Sequence, residues 1–444
     1  MNKCDNSDYI NTTLGALVSP EKKSIISGPF GSNVGKIFFK IEGIPLIRGN
    51  NLSTGQVKFK DNGFVFLSRE KSNELNCYAI KNDIIFTAVG TIGQVGIIEE
   101  KLSFEEYVIS NKQLRVRFNT KKIEPLFAYY WFSSPWIQKI ILQQNAGSTV
   151  PLINLSVLKG LPIRLPKSID TQKHIVAVLE IISSKIELNK RINVELEAMA
   201  KTLYDYWFVQ FDFPDANGNP YKTSGGDMVW DKELKREIPE GWVILELQKI
   251  SKCIMGQSPK GESYNEDGIG TPLLNGPADY ENGALKGRTF TTEPTRLCQK
   301  DDLVLCIRAT IGNLVFSEQE FCLGRGVAAV RPHEKRLSEL IYFLLQQEIE
   351  RFKVQATGSI IVGITKNDLI ESKCLIPNDK LIDSFHKLIN PPFDKIRINL
   401  KENQQLSSLR NWLLPMLMNG QVKVKDTVEE TLLLAAEEKV NYKS

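Results

Sequence analysis

The strongest constraint on the fold of this chain is an internal repeat that extends over most of its 444 residues. Apolar, strand-like segments and polar turns recur in the same order in both halves, and one of the turn segments aligns without a gap. The repeat predicts two related globular units in one chain. The segments that resemble each other are 43–52 with 270–279, 83–93 with 302–312, and 147–166 with 358–377.

Both halves end in a segment with the spacing of a long helix. Apolar residues recur at alternating intervals of four and three residues, which is the heptad pattern of a helix that packs along another helix. The first helix is predicted from about Thr171 to Trp207, a length of about 55 Å at 1.5 Å per residue. The second seam extends to Leu417, but Pro391-Pro392 interrupts it. Because proline disrupts a helix interior, this helix is predicted to start near Phe393.

Two asparagines recur in register in both helical seams, Asn189 and Asn193 in the first and Asn399 and Asn403 in the second. An antiparallel pairing of the helices would set Asn193 against Asn399 and Asn189 against Asn403. Buried polar residues in a seam fix the register of paired helices, and we predict that role here. The alternative, in which these asparagines face solvent or a partner, stays open at this point.

The predicted fold class is therefore α+β. Two tandem globular domains, each a small twisted sheet with helices and long loops, are separated by two long antiparallel coiled-coil helices in a pseudo-twofold internal repeat. The predicted boundaries are 1–166 for the first globular domain, 167–212 for a central helical spacer, 213–238 for a linker, 239–377 for the second globular domain, 378–422 for a distal helical spacer and 423–444 for a C-terminal tail.

The charge balance excludes a polycation that coats nucleic acid by charge alone. The chain has 56 Lys and Arg against 52 Asp and Glu, a net charge of +4, which permits local basic faces on a nearly neutral body. No apolar run reaches the roughly 18–20 residues that span a bilayer. Seven cysteines without a C-x-x-C pair favour a reducing, cytoplasmic location. Three scattered histidines predict no metal site.

The two related globular domains, here called heads, would be held at a fixed separation and would suit a ligand with two separated sites. DNA is such a ligand, because half-sites recur about every 34 Å along the duplex. Since the heads differ in detail, the implied target is asymmetric and bipartite. Reading it requires hydrogen-bonding side chains on loops, with Lys and Arg for phosphates. The candidate DNA-binding residues are Ser32, Asn33, Lys36, Arg48, Asn50, Asn51, Thr91, Gln94, Lys112, Gln113, Ser148 and Thr149 in the first head, and Gln257, Ser258, Lys260, Asn275, Arg288, Arg308, Thr310, Asn313, Arg325 and Ser359 in the second.

Three short segments carry a family resemblance. They are Tyr206–Pro214 at the close of the first helix, Ile238–Trp242 at the opening of the second half, and Leu413–Val422 at the close of the second helix. In this order, and with the tandem halves, the chain resembles the specificity subunits of Type I restriction–modification systems over nearly its whole length.

The resemblance implies a division of labour among subunits. Each head would be a target recognition domain that reads one part of a split double-stranded DNA site. The helices would also dock two modification subunits, which bind S-adenosylmethionine and methylate adenine. Restriction subunits would add ATP- and Mg-dependent translocation and cleavage. The specificity chain itself would have no catalytic residues and no cofactor of its own.

Two motifs suggest other chemistry. Asn390-Pro391-Pro392-Phe393 matches the catalytic motif of amino-methyltransferases, which methylate a flipped base, so a DNA adenine-N6 methyltransferase is one alternative function. That motif requires a preceding buried strand, whereas here an amphipathic helix precedes it. Gly31 to Lys36 resembles a phosphate-binding loop, but it is one residue short and has Ile37 at the Ser/Thr position. We interpret it as a polar turn. A coiled-coil scaffold without DNA preference is the other alternative.

Overall fold

The computed structural model describes residues 8–54, 57–144, 150–281, 283–308, 311–356 and 363–424. The chain divides into two compact units, which we call the first unit (residues 1–185 with 405–444) and the second unit (residues 186–404). The division therefore falls inside the two predicted helical spacers and not at their ends.

The first unit is built from short strands and short helices, followed by the start of a long helix. Its strands are β1 (Tyr9–Thr13), β2 (Ile25–Ser27), β3 (Ile44–Ile47), β4 (Val65–Leu67), β5 (Tyr78–Ile80), β6 (Ile84–Thr87), β7 (Val95–Ile97), β8 (Glu106–Ile109), β9 (Gln113–Val116) and β10 (Pro162–Pro166). Its helices are α1 (Arg69–Leu75), α2 (Pro125–Phe132), α3 (Pro135–Gln143), α4 (Leu155–Gly160) and the first part of α5 (Ile169–Tyr204).

Two four-stranded sheets form the first unit, in the orders β2-β9-β6-β7 and β4-β3-β8-β5, and β1 pairs with β10. The pairing of β3 with β8 is parallel, with Leu46 opposite Val108. Helix α2 is apolar all round and all of its residues except Leu126 are buried, as expected for a helix in the middle of a core. The start of α5 packs on the same core through Ile175 and Leu179.

The second unit repeats this construction. Its strands are β11 (Met228–Asp231), β12 (Arg236–Pro239), β13 (Val243–Glu246), β14 (Ser251–Met255), β15 (Tyr264–Asn265), β16 (Thr271–Leu274), β17 (Tyr280–Glu281), β18 (Ala284–Leu285), β19 (Thr289–Thr291), β20 (Leu297–Cys298), β21 (Leu303–Cys306), β22 (Gly312–Phe316), β23 (Phe321–Leu323), β24 (Val327–Pro332) and β25 (Lys373–Ile376). Its helices are α6 (Leu247–Ile250), α7 (Ser338–Ala356), α8 (Lys366–Ile370) and most of α9 (Asp379–Met418).

The strand orders of the two units correspond one to one. The sheet β14-β24-β21-β22 matches β2-β9-β6-β7, and β15-β19-β16-β23-β20 matches β4-β3-β8-β5 with β15 as an added edge strand. The pair β16 and β23 is parallel, like β3 and β8. Among the described residues each unit thus has two sheets of four or five strands, besides its two-stranded pairs, where the sequence predicts a single small sheet.

Helix α9 runs unbroken from Asp379 to Met418, so the predicted start near Phe393 is wrong. The proline pair lies inside the helix because one apolar face continues through it. Phe385, Ile389 and Phe393 follow each other at four-residue intervals and are 1–3% exposed. Burying three such side chains at about 1.5–3 kcal/mol each offsets a cost of about 3 kcal/mol for each interior proline.

Residues 213–238, predicted as a linker, are folded as part of the second unit. The Asp212 carboxylate accepts hydrogen bonds from the Thr223 backbone N and Oγ1 at 2.8 and 2.7 Å. The Phe213 ring stacks on Tyr221 and on Trp242, with centroids 4.6 and 5.4 Å apart. The hairpin of β11 and β12 completes the segment.

A buried ion pair recurs at the same place in both units. The carboxylate of Asp83, which is 0% exposed, accepts two hydrogen bonds of 2.8 Å from Arg117 and lies 3.4 Å from Arg115 Nη1. In the second unit Asp302 accepts two hydrogen bonds of 2.8 Å from Arg331. The hydrogen bonds to Asp83 raise the pKa of Arg117, whereas burial lowers the pKa of Arg115. In each unit the ion pair joins two adjacent inner strands of one sheet, β6 with β9 and β21 with β24, and bidentate pairing adds geometric specificity to that contact.

The seam asparagines of α5 and α9 are hydrogen-bonded to each other within the second unit. Asn189 Nδ2 donates to Asn403 Oδ1 at 3.0 Å, and Asn399 Nδ2 donates to Asn193 Oδ1 at 2.8 Å. These are the two pairs that the antiparallel alignment predicts. Asn399 is 0% exposed and its Oδ1 has no partner among the described residues, so its amide depends on Asn193.

Replacing Asn193 by leucine should destabilise the chain by about 1–3 kcal/mol, because it leaves the buried Asn399 amide without a partner. The change Asn399→Leu should cost less, since half-buried Asn193 can turn to water, and the double substitution should recover most of the loss. Urea unfolding of the full chain measures this cycle. The exposed α9 residue Gln405, replaced by leucine, is the control. Additive effects of the two asparagine substitutions would contradict the pairing.

Candidate nucleic-acid interface

A polar cleft of about 580 Å³ opens in the first unit where several strands end. It is lined by the residue that follows β3, by the end of β6 and the turn after it, and by the turn between β8 and β9. Six of the predicted DNA-binding residues line it, namely Arg48, Asn50, Thr91, Gln94, Lys112 and Gln113. The parallel pairing of β3 and β8 brings these segments together, because parallel strands end at the same edge of a sheet.

The wall of this cleft is held by side-chain hydrogen bonds. Thr87 Oγ1 donates to Gln94 Oε1 at 2.8 Å, and Gln94 Nε2 donates to the Leu52 carbonyl at 3.3 Å. Arg48 Nη2 donates to the Gly63 carbonyl at 3.3 Å. Gln94 and Arg48 are both half-buried, so their side chains form part of the cleft wall and extend little into solvent.

Two predicted contacts are contradicted by burial, since Asn51 and Gln113 are each 0% exposed. Asn51 accepts a hydrogen bond from the Arg48 backbone N at 3.0 Å and donates to the carbonyls of Lys60 and Asn62 at 3.0 and 2.9 Å. Gln113 is hydrogen-bonded to the hydroxyl of Ser110. Both amides satisfy buried backbone or hydroxyl groups, which would otherwise cost free energy, and they position the turns in place of contacting DNA.

Ser32, Asn33 and Lys36 are exposed on two short 3-10 turns, Gly31–Val34 and Lys36–Phe38. The segment therefore lacks the strand–loop–helix context of a phosphate loop. Phe30 and Ile37, which are not among the predicted DNA-binding residues, are each 84% exposed on the same segment. No sequence signal separates them from ordinary loop residues, because single exposed apolar side chains are common.

The second unit presents a corresponding polar surface at the turn between β23 and β24. Arg325 Nε donates to Ser258 Oγ at 3.2 Å, and the neighbouring Gln257 backbone N donates to the Leu323 carbonyl at 2.8 Å. The side chain of Asn275 packs beside Gly324. The structure therefore brings Gln257, Ser258, Asn275 and Arg325 together.

Other predicted residues of the second unit lie elsewhere. Arg308 is exposed next to Ile307, whose backbone N bonds to Gly326, so it adjoins the Arg325 turn. Lys260 and Arg288 are exposed, without a contact to that turn among the described residues. Asn313 lines a different groove, of about 670 Å³, with parts of α5 and α7. Ser148, Thr149, Thr310 and Ser359 fall outside the described residues.

Glycine is required at two corresponding positions, Gly28 after β2 and Gly256 after β14. At these positions the chain passes close to the turn between β8 and β9 and the turn between β23 and β24. A Cβ on Gly28 would lie 1.9 Å from the Ser110 carbonyl oxygen, and a Cβ on Gly256 would lie 2.1 Å from the Gly324 carbonyl oxygen. Both clashes are with backbone, so relief would require the turn to move.

The substitution Gly28→Ala should destabilise the first unit by about 1–3 kcal/mol, the usual cost of forcing extra atoms into a packed site. It should also weaken any ligand that the Ser110–Gln113 turn contacts. Thermal unfolding and ligand affinity are measured on the full chain. Gly35→Ala is the matched control, because its Cβ would have its nearest neighbour at 4.0 Å. Equal behaviour of the two variants would refute this role of Gly28.

The methyltransferase motif lies in the middle of α9, where Asn390 Nδ2 donates to Asp394 Oδ2 at 2.7 Å and Phe393 is 3% exposed. Neither side chain is available to hold a flipped base, so the catalytic interpretation is not supported. Among the described residues no group of three or more His, Cys, Asp or Glu could hold a metal ion. In the same ranges no helix has the length and apolar character to cross a membrane.

The family model of the Type I restriction modification DNA specificity domain matches the chain twice, at residues 33–198 and 239–406. The matches cover more than half of the chain, and each includes most of the strands of one unit and most of the long helix that follows them. The chain therefore belongs to this family, and the family resemblance stated from the sequence is confirmed.

Named relatives and a solved structure agree with this assignment. A putative type I restriction enzyme specificity subunit of Methanocaldococcus jannaschii, MjaX, is 28% identical over 394 residues, which are 86% of this chain and 88% of the relative. The HindI specificity subunit of Haemophilus influenzae is 21% identical over 406 residues, 77% of this chain and 87% of the relative. The crystal structure of a Type I S subunit from M. genitalium has the same fold, with a TM-score of 0.53 and 19% identity over 94% of this chain and 98% of that one.

Proposed function

We propose that this chain is the DNA-reading specificity subunit of a Type I restriction–modification complex and recognises an asymmetric bipartite target. The observation that carries the proposal is the repeated strand order of the two units, each with a polar turn after the parallel strand pair. One architecture with different side chains at the turns suits two half-sites of different sequence.

The long helices are proposed to act as the spacer between the half-site readers. In this proposal α5 and α9 form an antiparallel coiled coil with a pseudo-twofold relation between the two halves. The hydrogen bonds of Asn189 with Asn403 and of Asn193 with Asn399 support it, because polar pairs in a seam fix the register and orientation of helices.

The proposed partners are double-stranded DNA, two modification subunits and the restriction subunits, in the cytoplasm. S-adenosylmethionine, ATP and Mg would be bound by those partners and not by this chain, which would position the complex without catalytic residues of its own. The mid-helix location of Asn390 supports this division. A scaffold without DNA preference is the competing function. The two functions differ in whether DNA binding depends on the base sequence.

The test is binding of a random-sequence duplex DNA pool by the full chain together with its modification subunits. The selected duplexes should share two short conserved blocks of different sequence at one fixed spacing. Affinity should fall steeply with salt, because phosphate contacts release counterions. Recovery of sequences without any shared block would favour the scaffold.

The same preparation tests the enzyme alternative. The isolated chain, incubated with duplex DNA and S-adenosylmethionine, should transfer no methyl group, and Asn390→Ala should leave methylation by the assembled complex unchanged. Methyl transfer by the isolated chain that disappears in Asn390→Ala would overturn the assignment as a subunit without catalytic residues.

A further inference from the structure

The turn between β8 and β9 is held by a specific set of backbone hydrogen bonds. One closes the turn itself, and three join it to the strands and loops around it. These bonds are Gln113 N to Ser110 O at 3.1 Å, Ser110 N to Ile47 O at 3.0 Å, Gly28 N to Gln113 O at 2.9 Å and Ala88 N to Lys112 O at 2.7 Å.

The turn between β23 and β24 has the same set of bonds. They are Val327 N to Gly324 O at 3.2 Å, Gly324 N to Leu274 O at 2.7 Å, Gly256 N to Val327 O at 3.0 Å and Ile307 N to Gly326 O at 3.0 Å. Four matching bonds fix the correspondence of the two turns residue by residue. Asn111 in the first unit therefore occupies the position that Arg325 occupies in the second.

Both side chains at this position are available to a ligand. Asn111 is exposed beside Gly31, and its amide has no hydrogen-bond partner among the described residues. Arg325 is exposed as well, and its Nε is held by Ser258 Oγ at 3.2 Å. Within the described part of the chain its Nη1 and Nη2 have no protein partner. Ser258 thus restrains the guanidinium and leaves two parallel N–H donors directed away from it.

The chemistry of the two side chains differs in the way that base recognition requires. An asparagine amide donates to N7 and accepts from N6 of adenine in the major groove, whereas an arginine guanidinium donates to O6 and N7 of guanine. The backbone of the two turns is equivalent, so their side chains distinguish them. At the next position Lys112 corresponds to Gly326, which has no side chain to read a base, so Asn111 and Arg325 are the matched pair of polar side chains.

We propose that the two turns are equivalent base-reading positions, at which Asn111 selects adenine in one half-site and Arg325 selects guanine in the other. The proposal rests on the proposed function and adds to it the residue and the base at one position of each half-site. Ser258 is a positioning residue for Arg325. A phosphate contact by Arg325 is the competing role, and it would weaken binding to all sequences alike.

The test is selection from a random-sequence duplex pool by the full chain with its modification subunits, followed by affinity measurements on the selected duplex. Arg325→Ala should remove the guanine preference at one position of one block and leave every other position unchanged. Affinity for the selected duplex should fall about 5- to 150-fold, the range for one bidentate base contact. Arg325→Asn should shift that position toward adenine, and Asn111→Arg should shift one position of the other block toward guanine.

Two further variants distinguish base recognition from a general effect of charge or of substitution. Arg325→Lys retains the positive charge and loses the planar fork, so it should weaken the guanine preference while retaining the salt dependence. Arg351→Ala, an exposed arginine of α7 paired with Glu348, should leave selection and affinity unchanged. Thermal unfolding checks that each variant is folded.

The outcomes separate this proposal from the function on which it rests. If the wild type selects two blocks but the Arg325 and Asn111 variants select the same blocks, or bind all sequences more weakly by one factor, the base assignment is overturned and the proposed function stands. If the wild type selects no sequence, the proposed function fails and the base assignment fails with it.

Discussion

The parallel pairing of one strand pair in each unit, β3 with β8 and β16 with β23, is the constraint on which the rest of the structure depends. Parallel strands end at the same edge, so the residues after β3 and the turn after β8 are brought side by side. Backbone hydrogen bonds then hold the turn, together with the buried Gln113 amide that is bonded to Ser110. Since backbone bonds do not depend on residue identity, the exposed side chains can change without loss of the fold. In the proposed function this arrangement separates sequence specificity from the stability of the fold.

The segments that mark the family have structural roles that follow from packing. The ring of Phe208 packs on Phe385 and Trp242, with centroids 4.7 and 5.7 Å apart, and Phe211 packs edge-on against Trp242 at 5.4 Å. This aromatic cluster joins the end of α5, the opening of the second half and α9 within the second unit. Gly420, at the end of α9, has φ +71° and faces the Tyr9 ring. A left-handed glycine is a common helix end.

Much of the fold could be predicted from the sequence because the repeat and the helical spacing are periodic signals. The asparagine pairs could be predicted for the same reason, since two polar residues recur at matching positions in each of the two apolar seams. Local rules failed where tertiary packing overrides them. The prolines of α9 are tolerated because Phe385 and Phe393 are buried on either side.

The candidate site was less predictable from the sequence. Asn51 and Gln113 resemble DNA contacts in sequence, but their amides are buried and position the turns. That burial depends on strands that are distant in sequence. The matching of Asn111 with Arg325 needed the backbone hydrogen bonds of both turns.

The most direct measurement of the central claim is a map of N6-methyladenine across the genome of cells with this gene and of cells from which it is deleted. If the chain directs modification to a split site, one asymmetric bipartite motif is methylated in the first cells and unmethylated in the second. Restoring the gene restores the methylation. An unchanged map in cells with active modification subunits would contradict the claim that this chain selects the DNA target.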